Sequence, residues 1–259
     1  METKKTKLQG FRMHKNVYFV SDERVSVHLI DTAAGLVMID TGYPDMLDVI
    51  LDNIKEVGLS VKDICAIFHS HGHIDHFGCT REIVEMSGAK TYISRIDNDI
   101  LNGTLDLSWA KELNCRLPAP FSCDVLIEDG DVFDFGDTTV RCVHTPGHTA
   151  GVMSFFITLP DGTVAGMFGG MGSNSLRSDF LRRYGLSFDC RRQFKESIDK
   201  VWDEKVDLVL GNHPQQSNTL EKMIRILEGD ELVADPEEWH ALLKSAKRGY
   251  QKIMDTDPE

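Results

Sequence analysis

The segment His71-Gly72-His73-Ile74-Asp75-His76 holds three imidazoles and one carboxylate within six consecutive residues. Clustered histidines are costly, because each neutral ring needs partners for two nitrogens and protonated rings repel one another. A divalent ion such as zinc removes that cost, since imidazole nitrogen and carboxylate oxygen are its natural ligands. The segment therefore predicts a metal site.

The spacing of these residues adds a second prediction. The alternation of His71, His73 and Asp75 suits an extended or looped backbone, in which every second side chain points the same way. His76 breaks this alternation and is expected to point elsewhere. A second, neighbouring metal ion would need a ligand in that position.

The surrounding pattern indicates an α/β organisation. Residues 64–68 form a buried strand that delivers the histidine segment at its end, and helical periods occupy 45–57 and 80–87. We expect a β-meander over 125–142, further strands over 152–159 and 163–168, and late helices over 190–201, 219–227 and 236–254. The polar segment 97–120 is expected to be irregular, with Trp109 and Leu113 hinting at a helix. The absence of a linker or low-complexity region predicts one domain over 1–259.

Composition excludes several classes of function. The 259 residues carry a net charge of −13, so neither nucleic acid nor an anionic membrane meets a basic surface. No stretch approaches the roughly 20 apolar residues that a membrane helix needs. The run from Leu8 to Val20 contains Arg12, His14 and Lys15 and is too polar for a signal-peptide core. These features favour a cytoplasmic protein that acts on a small-molecule substrate.

The cysteines form no CxxC pair or tight framework, although there are six of them. We expect reduced and mostly buried thiols, with a pairing of Cys115 and Cys123 left open. Cys79 lies close to the histidine segment and is expected to be a packed thiol, the alternative being that its oxidation affects the site.

Two later loops repeat the design of a short apolar strand followed by a turn that carries a histidine. They are Thr145-Pro146-Gly147-His148-Thr149 and Gly211-Asn212-His213-Pro214. Together with His71 to His76 and with Ile39-Asp40-Thr41-Gly42, these motifs resemble the metallo-β-lactamase superfamily, whose signature is HxHxDH. The similarity covers essentially the whole chain. It implies an αββα sandwich in which two mixed sheets are flanked by helices and the metals lie at one edge between the sheets.

The resemblance also implies the ligands. One zinc ion would take His71, His73 and His148, and a second would take Asp75, His76 and His213. Asp75 would also orient the hydroxide held between the metals, and Asp40 would stiffen the ligand geometry from behind. His69 is expected to be hydrogen-bonded in the core rather than to be a ligand.

One departure separates the subfamilies. Many hydrolases of this superfamily carry a bridging aspartate where this chain reads Gly169-Gly170-Met171-Gly172. The third subclass of class B β-lactamases also lacks that carboxylate, and the helix over 194–201 and the tail over 235–239 are similar to that subclass. By the same resemblance, Ser173 and Ser175 are candidate contacts for a substrate carboxylate. Cys79, where a glycine is usual, and the lack of a visible leader argue against an antibiotic-resistance enzyme.

These observations predict a dinuclear zinc hydrolase in which metal-bound hydroxide attacks a strained or activated carbonyl, with a β-lactam or related cyclic amide as first substrate. The alternative within enzymes is cytoplasmic hydrolysis of an ester, thioester or lactone. The alternative of another class is a non-hydrolytic metal-binding or redox module on the same scaffold.

Overall fold

A computed structural model describes residues 7–230 and 235–258. The predicted domain, 1–259, thus includes a few positions outside the described residues. The described strands form two sheets. The first has the order β1-β2-β3-β4-β5-β6-β7, comprising Phe11–His14, Val17–Phe19, His28–Thr32, Gly35–Ile39, Ile64–Phe68, Lys90–Ser94 and Val125–Ile127. The second has the order β12-β11-β10-β9-β8, comprising Leu208–Val209, Val164–Met167, Met153–Thr158, Thr139–His144 and Val132–Asp134.

Eight α-helices connect and cover the strands in the described part of the chain. They are α1 Leu47–Glu56, α2 Ile74–Phe77, α3 Thr80–Ser87, α4 Arg95–Leu101, α5 Ser178–Arg183, α6 Asp189–Lys200, α7 Thr219–Leu227 and α8 Pro236–Thr256. None of the described helices combines the length and the apolar character needed to cross a membrane.

The alternation of side chains along the strands produces the layers. In β4, Val37 and Ile39 face the second sheet in one core cluster, whereas Leu36 and Met38 pack under α1 and α3 in another. Helices α6 and α8 cover the outer face of the second sheet. Phe194 of α6 belongs to the third core cluster, which lies between these helices and the sheet. The predicted αββα sandwich is confirmed.

Sheet topology brings the functional loops to one edge. Strands β4, β5, β6 and β7 are mutually parallel, so the residues after each strand emerge on the same side. In the second sheet, β11 and β12 are parallel to each other. Strand β10 is antiparallel to both of its neighbours, β9 and β11. Strands β9, β11 and β12 therefore also end at one edge. All three histidine-bearing loops follow strands that end there.

Several local expectations were wrong. The segment expected to be irregular from residue 97 begins inside α4, which Ser94 caps by accepting a hydrogen bond from the Asp97 amide. Leu113 lies in a turn and Trp109 directly precedes that turn, so neither belongs to a helix. Strand β1 and the short helices α2 and α5 were not predicted, because segments of four to six residues show no clear period.

The cysteines are all free thiols, so the pairing of Cys115 with Cys123 is not formed. Cys79 is buried, and its Sγ lies 2.9 Å from the Tyr43 carbonyl oxygen. Burial raises the pKa of this thiol to about 12. Cys79 is therefore a packed, protonated thiol, as expected.

Candidate metal centre

The six residues proposed as ligands converge in two groups of three. Within each group the candidate ligand atoms lie within 4.8 Å of one another, the groups being His71, His73 and His148, and Asp75, His76 and His213. This is the same division that the family resemblance implies. Their role as ligands stays a prediction.

In the first group, ring nitrogens of the three histidines lie close together. Nδ1 of His73 lies 3.1 Å from Nε2 of His71 and 3.0 Å from Nε2 of His148. His148 must donate from Nδ1 to the Gly172 carbonyl oxygen at 2.6 Å, because that oxygen can only accept. Burial lowers the pKa of His148 to about 4, so the ring is neutral and its Nε2 carries a lone pair.

The same argument applies to His71. Its Nδ1 lies 3.0 Å from Oγ of Ser70, which donates its own proton to Asp40 and therefore accepts from His71. Burial and the neighbouring imidazoles hold the pKa of His71 well below its usual range. Two Nε2 lone pairs thus face His73 Nδ1, which can donate a proton to only one of them. A cation at this point fits the donor set.

The second group is also held by hydrogen bonds on the side that faces away from the ligand atoms. His213 donates from Nδ1 to the Arg24 carbonyl oxygen at 2.9 Å, and its Nε2 lies 3.6 Å from Oδ2 of Asp75. His76 Nε2 lies 3.4 Å from the same oxygen. The other Asp75 oxygen, Oδ1, is buried and meets no hydrogen-bond donor in the described part of the chain.

Electrostatics in the second group also favour positive charge. Although burial opposes it, Asp75 and Asp40 together raise the pKa of His76 to about 10. Burial likewise opposes ionisation of Asp75, yet the neighbouring histidines hold the pKa of its carboxyl below the usual range. A buried anion with an unpartnered oxygen and two converging imidazoles fits a divalent cation.

Asp40 lies behind both groups. The residue follows β4 with φ of 59°, a left-handed conformation that turns its carboxylate back toward the loop after β5. Oδ1 accepts from the Ser70 amide at 2.7 Å, and Oδ2 accepts from the Ser70 hydroxyl and from His76 Nδ1, each at 2.8 Å. Asp40 thereby orients His76 directly and His71 through Ser70.

Asn212 was missed by the sequence reasoning. Its Nδ2 lies 3.1 Å from Ser70 Oγ and 3.4 Å from Asp40 Oδ2, and its Oδ1 accepts from the Gly170 amide at 3.0 Å. The side chain is buried and joins loops from both sheets. Its position directly before His213 was the only available signal.

Asp97 was also missed as a functional residue. Oδ2 accepts hydrogen bonds from the Gly72 amide at 2.8 Å and the Thr149 hydroxyl at 2.6 Å, and Oδ1 accepts from the Gly151 amide at 2.9 Å. Burial raises the pKa of this carboxyl, against these donors. Asp97 thus fastens the His71–His73 turn to the His148 loop, which belongs to the other sheet.

The Gly169–Gly172 loop leaves no room for a side chain at Gly169 or Gly170. Gly170 has φ of 65°, and a Cβ there would lie 2.7 Å from the Cβ of His148. A Cβ on Gly169 would lie 2.1 Å from the Met153 carbonyl oxygen. The loop therefore packs directly on His148, and Gly172 supplies the carbonyl that orients this ring.

The two serines differ in their positions. Ser175 is buried, with Oγ 3.1 Å from His148 Nδ1, so it contacts a candidate ligand from behind. Ser173 is half-buried and lies beside Gly249 of α8. Contact of either hydroxyl with a substrate carboxylate stays a prediction.

His69 lies outside both groups. Nδ1 is 3.3 Å from the His76 carbonyl oxygen, and Nε2 is 3.3 Å from the Thr80 hydroxyl. Burial lowers the pKa of this ring to about 4. His69 is a neutral, hydrogen-bonded core histidine.

Comparison with solved structures supports the same fold. The subclass B3 metallo-β-lactamase BJP-1 of Bradyrhizobium japonicum superimposes with a TM-score of 0.83 at 26% identity, covering 98% of this chain and 97% of that one. A metallo-β-lactamase of Cronobacter sakazakii gives a TM-score of 0.86 at 25% identity, covering 96% of this chain and 98% of that one.

Sequence comparison identifies the family. A hydroxyacylglutathione hydrolase of Maricaulis maris is 31% identical over 121 residues, which are 47% of this chain and 38% of that protein. The chain spans about half the length of the curated relatives that it matches. The model of the metallo-β-lactamase superfamily matches residues 20–223. Most of the described fold and all six candidate ligands lie within that range, and the chain belongs to the metallo-β-lactamase superfamily.

Proposed function

We propose that this chain is a hydrolase that binds two zinc ions through the groups His71, His73 and His148, and Asp75, His76 and His213. The observation that carries the proposal is the convergence of ligand atoms within 4.8 Å in each group. In four of the histidines, Nδ1 lies beside an oxygen acceptor, which leaves Nε2 to face the metal position; these are His71, His76, His148 and His213.

The donor set suits zinc. A set of imidazole nitrogens with a single carboxylate favours zinc. Magnesium and calcium bind mainly oxygen ligands and are disfavoured by such a set. Each group has three protein ligands, which is typical of a catalytic rather than a structural zinc site. Zinc in such a site supplies Lewis acidity, because it makes water acidic enough to lose a proton near neutral pH and it polarises a carbonyl oxygen.

The protein's own groups then orient the reactants. The unpartnered Oδ1 of Asp75 is the atom available to accept a hydrogen bond from the attacking water. Asp40 and Asn212 hold the loops of the two sheets at fixed separation through Ser70 and Gly170. This pre-organisation limits the rearrangement that the reaction needs.

The reaction is attack on a strained or activated carbonyl, and a β-lactam or related cyclic amide is the first substrate class. Two observations support this choice. A solved relative of 26% identity is a subclass B3 metallo-β-lactamase. The Gly169–Gly172 loop carries no carboxylate, and a side chain at Gly169 or Gly170 would clash with its neighbours, which is consistent with the lack of a bridging carboxylate expected for that subclass.

The second candidate is hydrolysis of an ester, thioester or lactone in the cytoplasm. It is favoured by the 31% identical relative that is a hydroxyacylglutathione hydrolase. Both candidates use the same residues and differ in the group that leaves.

A substrate panel separates the candidates. Zinc-loaded protein is offered a chromogenic cephalosporin, a thioester and a lactone, with and without a chelator, beside the variant Asp75→Asn. Chelator-sensitive turnover of the cephalosporin supports the first candidate. Turnover of only the lactone or thioester supports the second. If protein with two zinc ions bound turns over none of them, the hydrolase proposal is wrong.

A further inference from the structure

The segment over residues 172–178 contacts His148 on the side that faces away from the candidate ligand atoms. The Gly172 carbonyl oxygen accepts the Nδ1 proton of His148 at 2.6 Å, and Oγ of Ser175 lies 3.1 Å from the same nitrogen. Ser175 stands in a short 3₁₀ helix, Asn174–Leu176. The position of this segment therefore decides how the His148 ring is turned.

Helix α6 and the residue that follows α8 hold the segment by hydrogen bonds. Arg191 of α6 donates from Nε to the Leu176 carbonyl oxygen at 2.8 Å. Asp257, directly after α8, accepts from the Ser178 amide through Oδ2 at 2.6 Å. Two side chains from outside the metal centre thus engage the backbone of the segment.

The same two side chains form a largely buried ion pair. Nη2 of Arg191 lies 3.2 Å from Oδ2 of Asp257 and donates to the Ser178 hydroxyl at 3.0 Å. Arg191 is only 2% exposed, and its Nη1 meets no acceptor among the described residues. A buried guanidinium stays charged and needs an anion close to it. Hydrogen bonds from Ser178 hold the pKa of the Asp257 carboxyl below its usual range, so Asp257 supplies that anion.

Helix α8 also packs closely against the segment. A Cβ on Gly249 would lie 3.1 Å from Oγ of Ser173, so helix and segment approach each other closely at this point. Leu176 is fully buried and belongs to the third core cluster together with Trp239 and Leu242 of α8. Contacts at both ends and in the middle of the segment therefore transmit the position of α8 to its backbone.

We propose that Arg191 and Asp257 are positioning residues whose ion pair fixes the 172–178 segment and thereby aims Nε2 of His148 at the first metal position. The proposal rests on the proposed function, because His148 is a ligand only there. Neither Arg191 nor Asp257 belongs to a group of candidate ligands. Loss of Asp257 leaves the buried guanidinium without its carboxylate and the Ser178 amide without its acceptor. The segment should then shift and carry the Gly172 carbonyl with it.

The first test measures metal binding in Asp257→Ala and Asp257→Asn. We expect zinc affinity at one of the two ions to fall about tenfold in Asp257→Ala, which is the lower end of the effect of losing an outer hydrogen-bond partner. The visible spectrum of the cobalt-loaded variant should change as well. Asp257→Asn keeps an oxygen acceptor for Ser178 and should show smaller changes of the same sign.

Asp199→Ala is the matched control. Asp199 of α6 forms ion pairs with Lys195 at 2.9 Å and with Lys247 of α8 at 3.8 Å. Its replacement loosens the contact between the same two helices without removing a hydrogen bond to the 172–178 segment. We expect wild-type zinc affinity and a wild-type cobalt spectrum in this variant.

The second test needs no metal. The Nδ1 proton of His148 is followed in proton–nitrogen spectra of the metal-free protein and is identified by its loss in His148→Gln. Its exchange with water should be several-fold faster in Asp257→Ala and unchanged in Asp199→Ala. If the wild type binds no zinc while this exchange responds as expected, the proposed function fails and the positioning role stands. Unchanged exchange and an unchanged cobalt spectrum in Asp257→Ala, or equal changes in Asp199→Ala, would overturn it.

Discussion

The carboxylate of Asp40 and the imidazole of His76 are joined by a hydrogen bond of 2.8 Å between Oδ2 and Nδ1, and both side chains are buried. The contact fixes which nitrogen of His76 turns toward Asp75. Because Asp40 also holds Ser70, one carboxylate orients a residue in each ligand group.

We predict that Asp40→Ala weakens zinc binding by about 10- to 100-fold, because the orientation of His76 and His71 is lost. The buried Nδ1–H of His76 and the Ser70 amide would each lose an acceptor, at a cost of about 1–3 kcal/mol per group. A competition titration with a chromophoric chelator measures the affinity, and denaturant unfolding measures the stability. Asp40→Asn is the matched control and should show the smaller loss. Wild-type affinity in Asp40→Ala would contradict the role of this carboxylate.

Asp97→Ala should loosen the first ligand group although Asp97 belongs to neither group of candidate ligands. Gly72, Thr149 and Gly151 would lose their common acceptor, so the His71–His73 turn and the His148 loop would no longer be fastened together. In protein loaded with cobalt in place of zinc, we expect a changed visible spectrum and weaker binding at one of two ions. Asp97→Asn keeps one oxygen acceptor and should recover part of both. An unaltered spectrum in Asp97→Ala would show that this clamp is purely structural.

Introduction of the missing carboxylate should harm the site. In Gly170→Asp the new Cβ would lie 2.7 Å from the Cβ of His148, at a positive φ that costs about 1–3 kcal/mol for residues other than glycine. We expect Gly170→Asp and the control Gly170→Ala to lose zinc from the first group to a similar extent. Tighter zinc binding in Gly170→Asp alone would mean that the loop can move to accept a bridging ligand.

His69→Gln tests the separation of core and ligand histidines. The side chain contacts Thr80 and the His76 carbonyl, so its replacement should lower the free energy of unfolding by about 1–3 kcal/mol. Two zinc ions should still bind per chain. The matched variant His71→Gln should reduce the stoichiometry. A loss of zinc in His69→Gln equal to that in His71→Gln would make His69 part of the site.

The sequence reveals residues that carry their chemistry in a local motif. His71 to His76 can be recognised because the ligands are adjacent, and His148 and His213 because each follows a strand and a turn residue. The layers follow from alternation, as in Leu36 to Ile39, where successive side chains belong to opposite core clusters.

The residues that support the site could not be predicted in this way. Asp97 and Asn212 act through contacts with residues far away in the chain, such as Thr149 and Gly170. The residues next to them in the sequence form no motif that identifies this role. Trp109 and Leu113 hinted at a helix within a segment expected to be irregular, whereas Trp109 has a positive φ and its ring packs beside those of His73 and Phe180. Tertiary contacts override local preference at these positions.

The central claim is that two groups of three side chains each bind one zinc ion. Metal analysis of the purified protein and of His213→Ala tests it most directly. We expect about two zinc ions per chain in the wild type and about one in the variant, because His213 belongs only to the second group. Unchanged stoichiometry in His213→Ala, or iron as the dominant metal in the wild type, would contradict the account.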